Sequence, residues 1–284
     1  MTTTPNHGIL GQTTDYPKTY APDIIYPISR ELGRRHLALS ADKLSVGVDW
    51  WHAFEVSWLN PQGISQVAML RLTIPASSPF IVESKSLKLY LNSLNFTEFT
   101  DSQSVIDTIE RDLSSALQTQ VGAELINIDD AQSLPLYQPE GLLIDTVLND
   151  SAQKVALTDD VDSRLLAFDT ANTLQNSQRQ VYHSHLLRSN CPVTNQPDWG
   201  TLLIDITSAP IDKGSLLQYI LTFRQHNGFH EQCVEQIFSD LTLKFAPEKL
   251  LVRAWYTRRG GIDINPCRVS DLALLPSPSR VNRQ

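Results

Sequence analysis

Ser86-Leu87-Lys88-Leu89-Tyr90-Leu91-Asn92-Ser93-Leu94 returns in the second half of the chain as Ser215-Leu216-Leu217-Gln218-Tyr219-Ile220-Leu221-Thr222-Phe223. In the first stretch Leu87, Tyr90, Leu91 and Leu94 fall at i, i+3, i+4 and i+7. Leu216, Tyr219, Ile220 and Phe223 hold the same places in the second, so both predict a helix with one buried face. Each is preceded by an alternating run. Leu70, Leu72 and Ile74 alternate with Met69, Arg71 and Thr73, and Leu202, Ile204 and Ile206 with Leu203, Asp205 and Thr207, the period of a half-buried strand. A second helix pattern follows in each half, carried by Ile106, Ile109 and Leu113 and by Val234, Ile237, Phe238 and Leu241. Ile109-Glu110-Arg111-Asp112-Leu113 is echoed by Ile237-Phe238-Ser239-Asp240-Leu241. Apolar runs at 125–128, 142–147 and 250–257 predict returning strands. The implied unit is strand, strand, helix, helix, strand, strand, an α+β arrangement with two helices on one face of an antiparallel sheet, used twice. The expected domains are 1–150 and 151–284, joined by a polar stretch from about 149 to 180.

Composition agrees with a globular protein of this kind. With 284 residues, 41% hydrophobic and 19% charged, the chain has material for two modest domains. A formal net charge of −8 argues against a surface that coats nucleic acid, while allowing a local basic pocket for a phosphorylated cofactor. Cys191, Cys233 and Cys267 form no even disulfide set, and Met1-Thr2-Thr3-Thr4-Pro5-Asn6-His7 carries no basic region leading into an apolar run, so the expected location is the cytoplasm with reduced thiols. No apolar stretch approaches the roughly 20 residues of a membrane span.

The chemistry-bearing residues are unevenly shared between the halves. Ser189-Asn190-Cys191-Pro192-Val193-Thr194-Asn195-Gln196-Pro197-Asp198-Trp199 is rich in turn formers and can fold back on itself, bringing a thiol and a carboxylate into one pocket as nucleophile and proton carrier. A small buried Cys beside a turn and an Asp capping it fit the same spacing. Phe229-His230-Glu231-Gln232-Cys233-Val234-Glu235 opens the second helix of the second half, where an acidic residue is favoured electrostatically; that explains Glu231 better than His230. Cys233 falls on the apolar face and reads as core, and Cys267 has no acid–base partner near it in sequence. Cys191, His230 and Cys233 could clamp zinc, though no paired Cys-x-x-Cys or His-Glu-x-x-His supports a metal site. Tyr256-Thr257-Arg258-Arg259-Gly260-Gly261 ends a strand with two guanidinium groups and flexible backbone suited to a phosphate. There is no Gly-x-Gly-x-x-Gly after a strand and no Walker loop, so a nucleotide would not be held in the Rossmann manner. Where the first half has Glu83-Ser84-Lys85-Ser86 the second has Asp212-Lys213-Gly214-Ser215, and Asn190-Cys191-Pro192 faces only Leu59-Asn60-Pro61. Each half holds what the other lacks, which points to one composite site; ordinary divergence after duplication would leave the same trace.

Glu83-Ser84-Lys85-Ser86-Leu87-Lys88-Leu89-Tyr90, the Cys191 and Asp198 stretch, the His230-Glu231 stretch, Leu10-Gly11-Gln12-Thr13, Ser57-Trp58-Leu59-Asn60 and Ser184-His185-Leu186-Leu187 together resemble the long, two-module form of the NADPH-dependent 7-cyano-7-deazaguanine reductases, the nitrile reductases of queuosine biosynthesis. The resemblance runs nearly end to end. It implies tandem tunnelling-fold modules, the fold shared with GTP cyclohydrolase I, assembling into a barrel, and a homodimer. It further implies NADPH as cofactor, a deazapurine as substrate and no direct contact with nucleic acid or membrane. Cys191 would form a covalent thioimide with the nitrile, with Asp198 as proton donor and His230 beside it. Val82, Glu83, Ser84, His230 and Glu231 would hold the deazaguanine, and Ser84, Lys85, Arg259 and Gly260 would meet NADPH. Two hydrides would carry the nitrile through an imine to the aminomethyl product. Trp50-Trp51-His52-Ala53-Phe54 and Cys267 depart from the family's pattern away from its catalytic positions, leaving packing near the sheet in doubt. Two alternatives share the pocket: a zinc-dependent hydrolase like GTP cyclohydrolase, and a purine-binding module without catalysis.

Overall fold

The computed structural model describes residues 16–130, 132–151, 155, 158, 160–172 and 176–284. The Leu10-Gly11-Gln12-Thr13 motif and parts of the joining stretch lie outside them. In chain order the elements are β1 (Pro27–Ser29), α1 (Glu31–Arg34), α2 (Ala41–Leu44), β2 (Gly47–Leu59), β3 (Ser65–Pro75), β4 (Phe80–Val82), α3 (Ser84–Ser93), α4 (Ser102–Leu117), β5 (Gly122–Ile126), β6 (Leu142–Leu143), β7 (Gln178–Asn190), β8 (Pro197–Ser208), α5 (Lys213–Leu221), α6 (His230–Phe245), β9 (Lys249–Tyr256) and β10 (Ile262–Val269). Short 3-10 turns punctuate the rest.

Eight strands form one sheet in the order β5-β3-β2-β10-β9-β8-β7-β6. All pairings are antiparallel except the last, between β6 and β7. The first half of the chain supplies β5, β3 and β2 and, at the far edge, β6, the second supplies β10 to β7, and the seam is the long antiparallel ladder of β2 with β10, from Ile262 opposite Ala53 to Arg268 opposite Gly47. The sheet is open, with β5 and β6 at its edges among the described residues.

The alternating residues place the core. Leu70, Leu72 and Ile74 pack with Leu87, Tyr90, Leu91, Ile109 and Leu113. Leu202, Ile204 and Ile206 pack in the same way with Leu216, Tyr219, Ile220, Phe223, Ile237 and Leu241. The sequence echo extends to a polar pair: Tyr90 donates to Asp112 Oδ2 at 2.7 Å, and Tyr219 donates to Asp240 Oδ2 at 2.7 Å. Buried hydroxyls need such partners, so the repeated Tyr and Asp fix the same helix–helix spacing in both halves. A third apolar cluster, including Val48, Trp50, Leu203, Leu251, Trp255 and Cys267, lies apart from these two.

Two strands differ from expectation. The run at 142–147 does not return beside β5; only Leu142–Leu143 is extended, and it lies parallel to β7 at the opposite edge. The chain is drawn tightly against β7 at Gly141, whose φ is +78° and where a Cβ would meet the Val181 carbonyl oxygen at 2.2 Å. β10 escapes a period-two reading because all eight of its residues are buried, Asp263, Asn265 and Arg268 included. Its Pro266 faces Asp49 of β2, while pairing with β9 starts only at Cys267, so the missing N–H interrupts no ladder on that side.

Candidate active site

Cys191 leaves the end of β7, and its backbone closes the hairpin to β8. The Cys191 N–H donates to the Gln196 carbonyl at 2.9 Å and the Asn195 N–H to the Cys191 carbonyl at 3.0 Å, with Asn195 left-handed at φ +55°. Asn is among the few residues that accept that conformation readily. Ser189 then pairs with Asp198 across the ladder, so the thiol and the carboxylate sit at the same end of one hairpin. The Asn190 N–H donates to the His226 carbonyl at 2.8 Å and the Gly228 N–H to the Asn190 carbonyl at 3.1 Å, which ties the hairpin to the loop leading into α6. His230 and Glu231 open that helix.

Asp198 has two basic partners, Arg259 and His230. Its Oδ1 accepts from Arg259 Nη1 at 2.5 Å, and its Oδ2 stands 3.2 Å from His230 Nε2. Burial, the largest single influence, pushes this carboxyl up; His230 and Arg259 together outweigh it and hold the group below the usual carboxylate range. The His230 ring stacks on Tyr256 with centroids 3.8 Å apart and planes 7° from parallel, which fixes its orientation. Arg259 is presented by a two-residue hairpin turn between β9 and β10. Its N–H and carbonyl exchange hydrogen bonds with Ile262 at 2.9 and 3.0 Å, and Gly260 and Gly261 both have positive φ, +58° and +79°. That is the turn for which Gly-Gly is suited.

Glu231 lies deeper. It is 2% exposed, its Oε1 has no hydrogen-bond partner, and burial followed by the nearby charge of Asp49 pushes its carboxyl up to about 8. Beneath it is a buried charge cluster. Arg268 bridges Asp49 and Glu235 at 2.7 Å each, Arg30 joins Asp49 at 2.6 Å and Arg34 joins Glu235 at 2.7 Å. Glu83 is also buried, but its carboxylate is the N-cap of α3, accepting from the Lys85 and Ser86 N–H groups at 2.9 and 2.7 Å.

These elements enclose one cavity of about 320 Å³, within the size range of small-molecule sites. The second half contributes Cys191, Asp198, His230, Glu231, Arg259 and Gly260 to its lining, and the first half contributes Val82, Ser84 and Lys85. Of the residues expected in the site, Glu83 alone does not line the cavity; it holds the N-terminus of α3, and with it Ser84 and Lys85, at the wall. Cys233 points elsewhere, wholly buried with its thiol pushed up to about 11 by burial. Among the described residues no group of three His, Cys, Asp or Glu side chains is arranged to hold a metal ion, so Cys191, His230 and Cys233 do not form the zinc clamp their spacing allows.

Trp51, Lys88, Gln196, Ile262 and Ile264 also line the cavity and were not expected there. Lys88 belongs to the quoted Glu-Ser-Lys-Ser-x-Lys stretch, one helical turn beyond Ser84, and that spacing could have marked it. Ile262 and Ile264 could not be found before β10 was known. The rim suits a phosphorylated dinucleotide: Lys85, Lys88 and Arg259 bring positive charge together, and Gly260 approaches without a side chain where a Cβ would lie 3.3 Å from Lys88 Cδ.

Two family models match this chain, one described as nitrile reductase, 7-cyano-7-deazaguanine-reductase N-term, over residues 16–125, and one described as QueF-like protein over residues 197–272. A protein of Psychrobacter cryohalolentis named NADPH-dependent 7-cyano-7-deazaguanine reductase is 61% identical over 98% of this chain and 99% of its own length. Its namesake in Psychrobacter arcticus is 59% identical over the same shares, and that of Acinetobacter baylyi 51% identical over 97% and 98%. The cavity that joins Cys191 and Asp198 to Ser84 and Lys85 therefore lies in a chain whose two matched regions flank it from either half, and the chain belongs to the NADPH-dependent 7-cyano-7-deazaguanine reductase family.

Proposed function

We propose that this chain reduces the nitrile of 7-cyano-7-deazaguanine to the 7-aminomethyl group with NADPH, as a step of queuosine biosynthesis. The observation that carries the reading is the single cavity in which Cys191, Asp198, His230 and Glu231 face Ser84, Lys85, Arg259 and Gly260.

The roles follow from the chemistry of each group. Cys191 adds to the nitrile carbon: the S–H bond breaks, the proton passes to the ionised Asp198, the S–C bond forms, and one π pair of the nitrile moves to nitrogen. Asp198 returns that proton to the nitrogen, giving a thioimide, with His230 and Arg259 stabilising the carboxylate at either end of the exchange. The ion pairs make Asp198 an acceptor first and a donor second. When bound, NADPH supplies the two hydrides that a four-electron reduction requires, held by Ser84, Lys85, Arg259 and Gly260. Cys191 leaves as thiolate between them; solvent supplies the two protons that accompany the two hydrides, and Asp198 relays one to the Cys191 thiolate after the first transfer and one to the product nitrogen after the second. Glu231 accepts N–H bonds from the heterocycle, for which its unpartnered oxygen is suited, while Val82, Glu83, Ser84 and His230 complete the substrate's surroundings, Glu83 from the N-terminus of α3. The two halves are read as tandem tunnelling-fold modules, 1–150 and 151–284, with the open sheet closing into a barrel against a second copy in a cytoplasmic homodimer. No helix of the described residues is long and apolar enough to cross a membrane.

The test is NADPH absorbance on addition of the nitrile, with the product identified by mass. Two NADPH consumed per nitrile, with the aminomethyl product, is the expected result. Tight binding without oxidation would replace the reading with a binding module, and a Cys191→Ala variant that still oxidised NADPH with the nitrile would remove the thiol from the mechanism.

A further inference from the structure

Three of the residues lining the cavity carry a buried polar atom without a partner: His230 Nδ1, Glu231 Oε1 and Trp51 Nε1. The first two can adapt, since an imidazole changes tautomer and a carboxyl changes protonation. An indole N–H is a donor only. Trp51 is also the best anchored of the three. It is 2% exposed, sits on β2 between Leu72 of β3 and Ile264 of β10, and packs in the same cluster as Leu70, Leu87 and Tyr90. An unmade bond from a buried donor is costly, and a ligand that supplies the acceptor recovers that cost while one that does not is penalised.

We propose that the Trp51 indole N–H is a specificity-determining donor that reads the lactam oxygen of the deazaguanine. The inference rests on the substrate proposed above. In that heterocycle the lactam oxygen lies between the 7-substituent, which must reach Cys191, and the ring N–H groups assigned to Glu231. It is the strongest acceptor on that edge, and Trp51 lines the same cavity as both residues. Ile262 and Ile264, on the neighbouring strand, offer no polar atom that could compete for it. Recognition then combines a fixed donor from the first half of the chain with adaptable groups from the second, and a nitrile heterocycle lacking a carbonyl at this position is selected against.

The test uses binding without NADPH, so it is independent of turnover. Protein labelled with 15N in its indoles gives signals for its five tryptophans, and Trp51→Phe identifies the one that matters. Saturation with 7-cyano-7-deazaguanine should move the Trp51 indole proton downfield and protect it from exchange. Calorimetry should show the nitrile bound about threefold to tenfold more weakly by Trp51→Phe, the loss expected for one neutral hydrogen bond. The 6-thioxo analogue, which keeps every N–H and presents a poorer acceptor, should lose less than about twofold. An unmoved Trp51 signal at saturation overturns the proposal, as does an equal loss for both ligands, which would mean packing alone. If the analogue does not bind, the indole signal decides. Failure of the parent to bind the nitrile would instead refute the proposed substrate and this inference with it.

Discussion

Replacing Asp198 by Asn removes the charge and keeps the shape, which isolates the proton-carrying role. In the parent the carboxylate is 3% exposed, bonded to Arg259 at 2.5 Å and 3.2 Å from His230, so it is ionised and shielded from bulk water. An amide accepts no proton from the thiol, and burial leaves little room for water to take its place. A positioned proton carrier contributes about 10²- to 10⁴-fold, or roughly 3 to 5.5 kcal/mol of barrier at about 1.4 kcal/mol per decade. The assay is formation of the covalent adduct without NADPH, followed by absorbance and intact mass, with calorimetric affinity measured in the same samples. Asp198→Asn should bind the nitrile within about tenfold of the parent and form the adduct about 10²- to 10⁴-fold more slowly. A rate within tenfold of the parent's would refute the reasoning, because it would mean that the thiol loses its proton by another route.

Arg259→Gln withdraws one of the influences that lower Asp198, so the acid limb of adduct formation should move to higher pH; an unmoved limb would show that His230 alone sets it. The ionised Asp198 also stabilises the fold above its unfolded pKa, a contribution lost as pH falls through the lowered folded value, so the variant should begin acid unfolding at a higher pH than the parent. Glu231 has the opposite sign: raised from 4.5 to about 8, it keeps a proton in the folded chain that the unfolded chain has released, so stability falls as pH rises across that window. Glu231→Gln should flatten this fall in denaturant titrations at pH 5 and pH 8 and abolish the tightening of nitrile binding with rising pH; an unchanged slope would place the titration elsewhere.

The repeated half was legible because its signals are local. Leu87, Tyr90 and Leu91 mark a helix face by spacing alone, and the echo of Asp112 in Asp240 carried a bond as well as a pattern. The site was legible where chemistry and turn formers coincide, as between Cys191 and Asp198. Periodicity failed at β10, since a strand buried on both faces alternates nothing that hydropathy detects, and Asp263 and Asn265 look like loop residues until their partners are known. It failed at 142–147 because apolar residues next to a glycine can pack as an edge as well as a ladder. Glu83, expected at the substrate, also has a structural role that its place before a helix could have signalled. A carboxylate at the start of a helix serves the helix first, and both its oxygens accept backbone N–H groups in α3.

The charge cluster under Glu231 links the seam of the sheet to the titration of the site. Asp49 comes from β2, Arg268 from β10 and Glu235 from α6, all at most 2% exposed, so the cluster joins the two halves where the cavity is built. Three guanidinium groups meet two carboxylates there. Removing Arg268 leaves Arg30 with Asp49 and Arg34 with Glu235, a balanced set; removing the charge of Asp49 leaves three cations against one anion. Asp49→Asn should therefore destabilise the chain by about 3–5 kcal/mol, the cost of breaking a buried pair, and Arg268→Met by less. Glu231 responds differently again, because Asp49 raises its carboxyl and Arg268 lowers it. Asp49→Asn should thus move the pH dependence of nitrile binding downward and Arg268→Met upward, although both weaken the fold. Loosened packing would shift the two profiles in the same direction, and that result would separate the cluster from the chemistry of Glu231.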